Sequence, residues 1–293
     1  MQRIESIEGV SWTEVQEPTN CDKIIDALEQ GKIVFFPHLT FHIEKKELLS
    51  TNTVSENRKN VSYDSKTQCL SGCTKDAKKQ ADLKALMRSF AEKSKILVET
   101  ALPHYRNHLM IGRTSFRPIE IEGREAPSYR KDDKLLHVDA FPSTPVQGFR
   151  ILRVFSNINP DGKPRIWRIG EPFENVVKTF LPQLKRPLPG SAMFFKMLRI
   201  TRQYRTLYDH FMLQLHHMMK KDSGYQREVS QEVIPLPAHS TWMVYTDVAS
   251  HAAMAGQHVL EQTFYLPVHA MRYPERAPVN ILSRYLKKTL CPT

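Results

Sequence analysis

The sequence predicts an α+β fold with a mainly β core and helices packed on it. Three observations carry that expectation. From residue 135 the chain reads as short extended runs, "LLHVDAF", "GFRILRVFSNI", "PRIWRI", "SAMFFKM", "TWMVYTD" and "EQTFYLPV". Proline, glycine or asparagine punctuates many of them, as a compact β architecture requires. Residues 81–101 place Leu83, Leu86, Met87, Phe90, Leu97 and Ala101 at the spacing of one helix face, the pattern of a helix that covers a sheet. A hydrophobic fraction of 41% and a charged fraction of 25% over 293 residues describe a globular chain able to bury a substantial core.

Taken in order, "KIIDALEQ" at 23–30 predicts a short helix stopped by Gly31, and "KIVFFP" at 32–37 a strand closed by proline. Residues 51–80 are polar and read as a long loop, a lid or a segment with an ordering partner. Residues 102–134, rich in arginine and proline, give no clear element. Within the β series, "LYDHFMLQLHHMMKKD" at 207–222 predicts an inserted helix with Phe211, Leu215 and Met218 on one face. Its His216, His217 and methionines read as packing plus a solvated edge rather than a metal site. A single domain over 1–293 is expected, with 1–134 packing on a β core at 135–270 that carries the insertion near 207–222.

No run of 18 apolar residues occurs and the N-terminus lacks a secretory pattern, so a cytoplasmic location without a membrane span is expected. Cys21, Cys69, Cys73 and Cys291 make neither a zinc site nor a disulfide framework and read as structural thiols. A formal net charge of +11 suits an anionic partner: nucleic acid, an anionic membrane surface or an acidic small molecule. It equally suits a basic, well-solvated surface. The arginines form no RNA-binding motif or repeated stacking platform, so nucleic acid is not expected.

The chemistry rests on "KLLHVDAFP" at 134–142. Residues two apart on a strand share a face, so His137 and Asp139 can aim an imidazole and a carboxylate into one cavity. In a chain with 12 histidines an H-x-D is cheap, and it needs a third ligand from a distant strand. His251, in "TWMVYTDVASHAAMAGQHVLEQTF", follows one strand-like run and a turn and precedes another. Two histidines and a carboxylate form the facial arrangement of non-haem Fe(II), with open positions for a chelating co-substrate and dioxygen. Zinc hydrolases use the same ligand types, so these residues do not name the metal.

Longer segments resemble a known family. "GKIVFFP" at 31–37, "LLHVDAFPSTP" at 135–145, "GFRILRVFSNINPDGKPRIWRIGEPF" at 148–173 and "VASHAAMAGQHVLEQTFYLP" at 248–267 are similar to the bacterial 3-deoxy-D-manno-octulosonic acid (Kdo) 3-hydroxylases of the Fe(II)/2-oxoglutarate dioxygenase superfamily. The resemblance implies a double-stranded β-helix, a cupin-like jelly roll. It implies His137, Asp139 and His251 as iron ligands and catalytic centre, with 2-oxoglutarate and dioxygen as co-substrates and ascorbate as reductant in vitro. The implied reaction oxidatively decarboxylates 2-oxoglutarate to succinate and hydroxylates C3 of a Kdo sugar in Kdo-lipid A.

Many superfamily members anchor the distal carboxylate of 2-oxoglutarate on an arginine some ten residues after the second histidine. This chain has no arginine or lysine from 252 to 271. The anchor is then expected on the strand after H-x-D, at Arg150 or Arg153, which alternation points to opposite faces. Tyr129 and Thr263 are candidate hydroxyl donors to the same carboxylate, and Asn157 either orients a ligand or makes an Asx turn. Arg165 and Arg168 around Trp167 are the expected sugar-and-acid surface, with Arg113, Arg117, Arg124 and Arg130 adding positive charge. Peripheral contact with the anionic inner membrane follows from the charge and the amphiphilic substrate, with 209–219 as the segment to inspect for exposure. An oligomer is compatible with the sequence. Two other readings stay open here: an oxygenase acting on another substrate, such as a protein side chain, and a non-enzymatic β-barrel that binds anionic glycans.

Overall fold

The computed structural model describes residues 2–14, 16–56 and 58–291. Its elements run β1 (Ile4–Ser6), α1 (Pro18–Glu29), β2 (Ile33–Phe36), β3 (Val61–Asp64), β4 (Cys69–Ser71), α2 (Ala77–Ala101), β5 (Met110–Arg117), β6 (Arg150–Asn157), β7 (Arg165–Ile169), α3 (Phe173–Phe180), α4 (Ser191–Met197), α5 (Leu207–Lys221), α6 (Ser223–Glu228), β8 (Glu232–Leu236), β9 (Thr241–Tyr245), β10 (His251–Ala255), β11 (Val259–Leu266) and α7 (Pro278–Leu286).

Eight strands form the larger sheet, in the order β1-β2-β9-β6-β11-β5-β3-β4, and β10-β7-β8 form a smaller one. Strand alternation sorts the side chains of the large sheet into two layers. Leu152, Val154, Met243, Tyr245, Leu260 and Phe264 join a core built with α1 and α2. Phe155, Trp242, Val244 and Val259 point the other way, onto Trp167, Ile169, Ile234 and Leu236 of the small sheet. The site described below lies in this second layer, between the sheets.

Local sequence explains most boundaries. The first helix starts at Pro18, five residues earlier than the apolar pattern indicates, because proline suits the first helical turn, where its missing N–H costs nothing. It ends where Gly31 takes φ +79° and turns the chain into β2. The second helix runs Ala77–Ala101, with Asp76 accepting a hydrogen bond from the Lys79 N–H at its N-terminus.

Three expectations fail. The polar stretch 51–80 is not only loop: β3 and β4 form a hairpin, and β3 pairs with β5 from Val61↔Phe116 to Asp64↔Arg113. Val61 and Tyr63 are its only buried side chains, too few for a visible alternation. "SAMFFKM" is a helix, α4, and not an extended run. Met193, Phe194 and Met197, with Leu198 at its C-terminal end, fall at i, i+1, i+4 and i+5, one face of a helix, and Phe195 lies on the other. Nor does α5 have a solvated histidine edge at His216, which is buried with Tyr208, Phe211, Met212, Leu215 and Met219.

Candidate metal centre

Residues 135–139 are held extended from both sides. His137 and His251 exchange both backbone hydrogen bonds, with N···O distances of 3.0 and 2.9 Å, and the Asp139 N–H donates to the Thr246 carbonyl at 2.8 Å. On the other flank no strand is present, and the α6 side chain of Gln226 replaces one. Its Oε1 accepts from the Leu136 N–H at 2.9 Å and its Nε2 donates to the Leu136 carbonyl at 3.0 Å. Thus tethered, Leu136 and Val138 point into the core while His137 and Asp139 point together into the space between the sheets.

One ligand atom from each of His137, Asp139 and His251 can be chosen so that all lie within 4.8 Å of one another. Each histidine places Nδ1 2.8 Å from a carbonyl two residues earlier, Leu135 for His137 and Ala249 for His251. Those carbonyls can only accept, so Nδ1 carries the proton and Nε2 keeps its lone pair. The imidazolium form is disfavoured: burial foremost, then the neighbouring ring of His251 and Lys220, pulls His137 well below its ordinary pKa. Burial lowers His251 as well. Burial works against ionising Asp139, yet the Arg153 guanidinium and His251 outweigh it and lower its pKa. The Trp167 ring lies 5.2 Å from that of His251 at 22°, backing the ligand from the small sheet. Two neutral imidazoles and a carboxylate, oriented and shielded, fit a non-haem Fe(II) ion.

Beside the triad, Arg153 Nη2 sits 2.8 Å from Asp139 Oδ2, off a good hydrogen-bond direction, while Nη1 donates to Glu261 Oε1 at 2.8 Å. Glu261 is in turn paired with Arg117 at 2.7 Å. Arg153, Glu261 and Thr263 open onto a cavity of about 620 Å³ whose basic lining also includes Lys66, Arg113, Arg117 and Arg202. A barrel that merely binds glycans gives no reason for three metal-type ligands to converge behind Arg153, which lines such a cavity.

The sequence profile of 3-deoxy-D-manno-oct-2-ulosonic acid (Kdo) hydroxylase matches residues 11–289. The chain belongs to the Kdo hydroxylase family. It is 46% identical to the Kdo hydroxylase KdoO, described as a non-heme Fe(II) alphaketoglutarate dependent dioxygenase. The apo KdoO structure superposes with a TM-score of 0.95, covering 99% of this chain and 97% of that one. The complex of KdoO with alphaketoglutarate and Fe(III) gives 0.95, with coverages of 99% and 98%. The cobalt(II) complex gives 0.96, with coverages of 100% and 98%. Among curated proteins none matches. The fold is the α+β, cupin-like double-stranded β-helix of these enzymes, and the chain is an Fe(II)/2-oxoglutarate dioxygenase.

In this Kdo hydroxylase family member the other candidate residues separate. Arg153 and its cross-strand neighbour Thr263 reach the cavity. Arg150 does not: it lies on the helix side of β6 at 0% exposure, bound to Asp247 at 2.7 and 3.2 Å, with Tyr245 beneath its guanidinium at 3.9 Å. Tyr129 is carried to the surface by the irregular 118–128 segment and accepts from Arg130. The surface expected around Trp167 is interior. Trp167 fills the space between the sheets, and Arg165 is buried with Nη1 bound to the Gly256 carbonyl. Arg168 is part-buried and donates to the Lys134 carbonyl at 2.7 Å. Asn157 makes the Asx turn, accepting from the Asn159 N–H and donating to the carbonyls of Lys163 and Leu236. β7 is the middle strand of the small sheet, and the Arg165 Nε and Trp167 Nε1 donors it carries are buried without a hydrogen-bond partner. The sequence reading missed Glu261, Gln226, Lys66 and Arg202. Glu261 alone had a usable signal, its i,i+2 spacing with Thr263.

Proposed function

We infer that the protein hydroxylates carbon 3 of a Kdo sugar carried by Kdo-lipid A. The reading rests on the His137–Asp139–His251 cluster beside a basic cavity in a member of this family. Iron held there together with 2-oxoglutarate would activate dioxygen, the oxidant, one oxygen atom going to the sugar carbon and the other into succinate as carbon dioxide is released. What remains for the chain is to bind, orient and exclude.

His137 and His251 present Nε2 because their Nδ1 protons are committed to backbone carbonyls. Asp139 divides its labour, with Oδ1 on the histidine side and Oδ2 against Arg153. Arg153 is the proposed receiver of the distal carboxylate of 2-oxoglutarate, with Thr263 beside it. Its buried Nε has no hydrogen-bond partner, and a buried guanidinium gains most from a planar carboxylate. Glu261 steadies the guanidinium from the far side. Arg150 is proposed as a structural residue only. Lys66, Arg113, Arg117 and Arg202 then face the Kdo carboxylate and the nearby lipid A phosphates. We read residues 1–293 as one catalytic unit.

No helix among the described residues is long and apolar enough to cross a membrane. We therefore place the protein peripherally, on the cytoplasmic face of the inner membrane, drawn there by its net charge of +11.

The test is purified protein with Fe(II), 2-oxoglutarate, ascorbate and Kdo-lipid A, read by mass spectrometry for the gain of one oxygen and by tandem fragmentation for its position. Iron and co-substrate binding without oxygen transfer would remove this substrate and leave an oxygenase of another substrate. Loss of the product in His137→Ala and Asp139→Ala assigns any oxygenation to this centre.

A further inference from the structure

Residues 185–205 are unlike the rest of the surface. Leu188, Met193, Phe194, Met197, Leu198 and Ile200 are all exposed, Leu188 at 80% and Met193 and Met197 at 70%. With Tyr204 they make seven of the eleven large exposed apolar side chains among the described residues. Scattered exposed apolar residues are ordinary, but a contiguous group rimmed by charge marks a contact surface. The rim here has one sign. Lys185, Arg186, Lys196, Arg199, Arg202 and Arg205 lie within the segment, which contains no aspartate or glutamate.

The segment is tied down at both ends, so it is presented by the scaffold. Lys185 exchanges hydrogen bonds with the Gln214 side chain of α5, at 3.0 Å and 2.7 Å. At the other end the Arg202 N–H donates to the Ser143 carbonyl at 2.9 Å, and Arg205 Nη2 donates to the Pro142 carbonyl. Phe195, on the under-side of α4, packs beneath the Arg205 guanidinium at 5.2 Å. Pro142 and Ser143 follow Asp139 closely and line the basic cavity, as does Arg202 itself. The apolar surface therefore stands at the cavity rim.

We propose that residues 185–205 are the membrane-docking element of this protein, with Met193, Phe194, Met197 and Leu198 entering the acyl boundary and Lys185, Arg186, Lys196 and Arg199 seated on anionic headgroups. This deepens the peripheral placement proposed above and rests on it. The expected segment, 209–219, lies in α5 and buries Phe211, Met212, Leu215, His216 and Met219, which disqualifies most of it. A second copy of the chain is a poorer occupant: two such faces would bring twelve positive charges together with no carboxylate of the segment between them. A lipid surface supplies both the apolar phase and the counter-charge. It also turns the cavity mouth toward a sugar that is anchored in the same leaflet.

The test uses the full chain and vesicles without Kdo-lipid A, either phosphatidylcholine with phosphatidylglycerol or phosphatidylcholine alone. Wild type is expected to co-sediment with the anionic vesicles and far less with the neutral ones. Met193→Asp with Met197→Asp is expected to lower the bound fraction roughly tenfold or more, with an unchanged thermal midpoint because both side chains are exposed. Leu188→Ser with Ile200→Ser, outside the helix, repeats the test should α4 unwind. Lys196→Glu with Arg199→Glu should erase the preference for anionic vesicles. All three pairs should turn over detergent-dispersed Kdo-lipid A like wild type and lose turnover when it is embedded in vesicles. Failure of wild type to sediment, or equal sedimentation of the methionine pair, overturns the proposal. So does a wild-type dimer that the methionine pair dissociates without changing vesicle binding. If wild type binds vesicles and the variants do not, yet detergent-dispersed Kdo-lipid A gains no oxygen, the docking element stands and the substrate reading falls.

Discussion

Arg150 and Arg153 lie three positions apart on one strand, and their surroundings have nothing in common. On the helix side of the sheet, Arg150 is sealed from solvent, gripped by both oxygens of Asp247 and stacked on Tyr245. Burial opposes its charge, Asp247 more than offsets that, and the guanidinium holds its proton more firmly than usual. On the side between the sheets, Arg153 shares itself between Asp139 and Glu261 and keeps Nε free at the wall of a cavity. A satisfied buried ion pair is part of the scaffold. An incompletely satisfied one beside open volume is available to a ligand.

The largest effect is expected at the metal ligands. Asp139→Ala should bring 2-oxoglutarate-dependent succinate formation to background while leaving the unfolding midpoint near that of wild type, because it removes a buried charge from the cavity side. On the helix side the opposite division is expected. Arg150→Met should cost about 3–5 kcal/mol in urea unfolding by stranding Asp247, and adding Asp247→Leu should return much of it. The KM for 2-oxoglutarate of the folded fraction should not move; a large rise would make Arg150 a co-substrate residue.

Gln226→Leu removes the side chain that stands in for a missing strand beside Leu136. It should weaken metal binding about 10–100-fold by competition with a chelator, with a smaller change in stability. Arg153→Lys retains charge but loses the planar fork. It is expected to raise the KM for 2-oxoglutarate about tenfold and to leave kcat closer to wild type. The smallest effect concerns pH. Asp133 is held below the usual carboxylate range: burial works against it, but Lys59, Arg117 and Arg124 outweigh that. Its contribution is therefore present above about pH 4 and is lost as pH falls toward its lowered folded-state pKa, on the order of 1 kcal/mol. Asp133→Asn should flatten the acid limb of a plot of thermal midpoint against pH.

The strands that carry the site were legible because "GFRILRV" and "EQTFYLP" are short runs rich in aliphatic, aromatic and β-branched residues and because proline and glycine mark their ends. The hairpin at 61–71 was not, since only Val61 and Tyr63 of β3 face the core. Residues 191–197 misread as strand because seven residues with apolar neighbours at i, i+1, i+4 and i+5 resemble a continuous apolar run. Of the binding candidates, Arg165, Trp167 and Asn157 were placed by local composition, and each is interior: Trp167 packs against Phe155 and Trp242 of the large sheet, Arg165 reaches the Gly256 carbonyl, and Asn157 at the end of β6 is held by its own turn.

By itself the sequence determined the alternation that puts His137 with Asp139 and Arg150 opposite Arg153, and its longer segments determined the family. Both are properties of short stretches of chain, set by backbone geometry and residue order. Only the tertiary structure decided that His251 pairs its backbone with His137, that Asp247 claims one arginine while Glu261 shares the other, and that the basic apolar segment 185–205 stands at the cavity mouth. Each of these depends on residues far apart in sequence, and burial, which decides whether a charge is committed or available, exists only once the sheets have closed on one another.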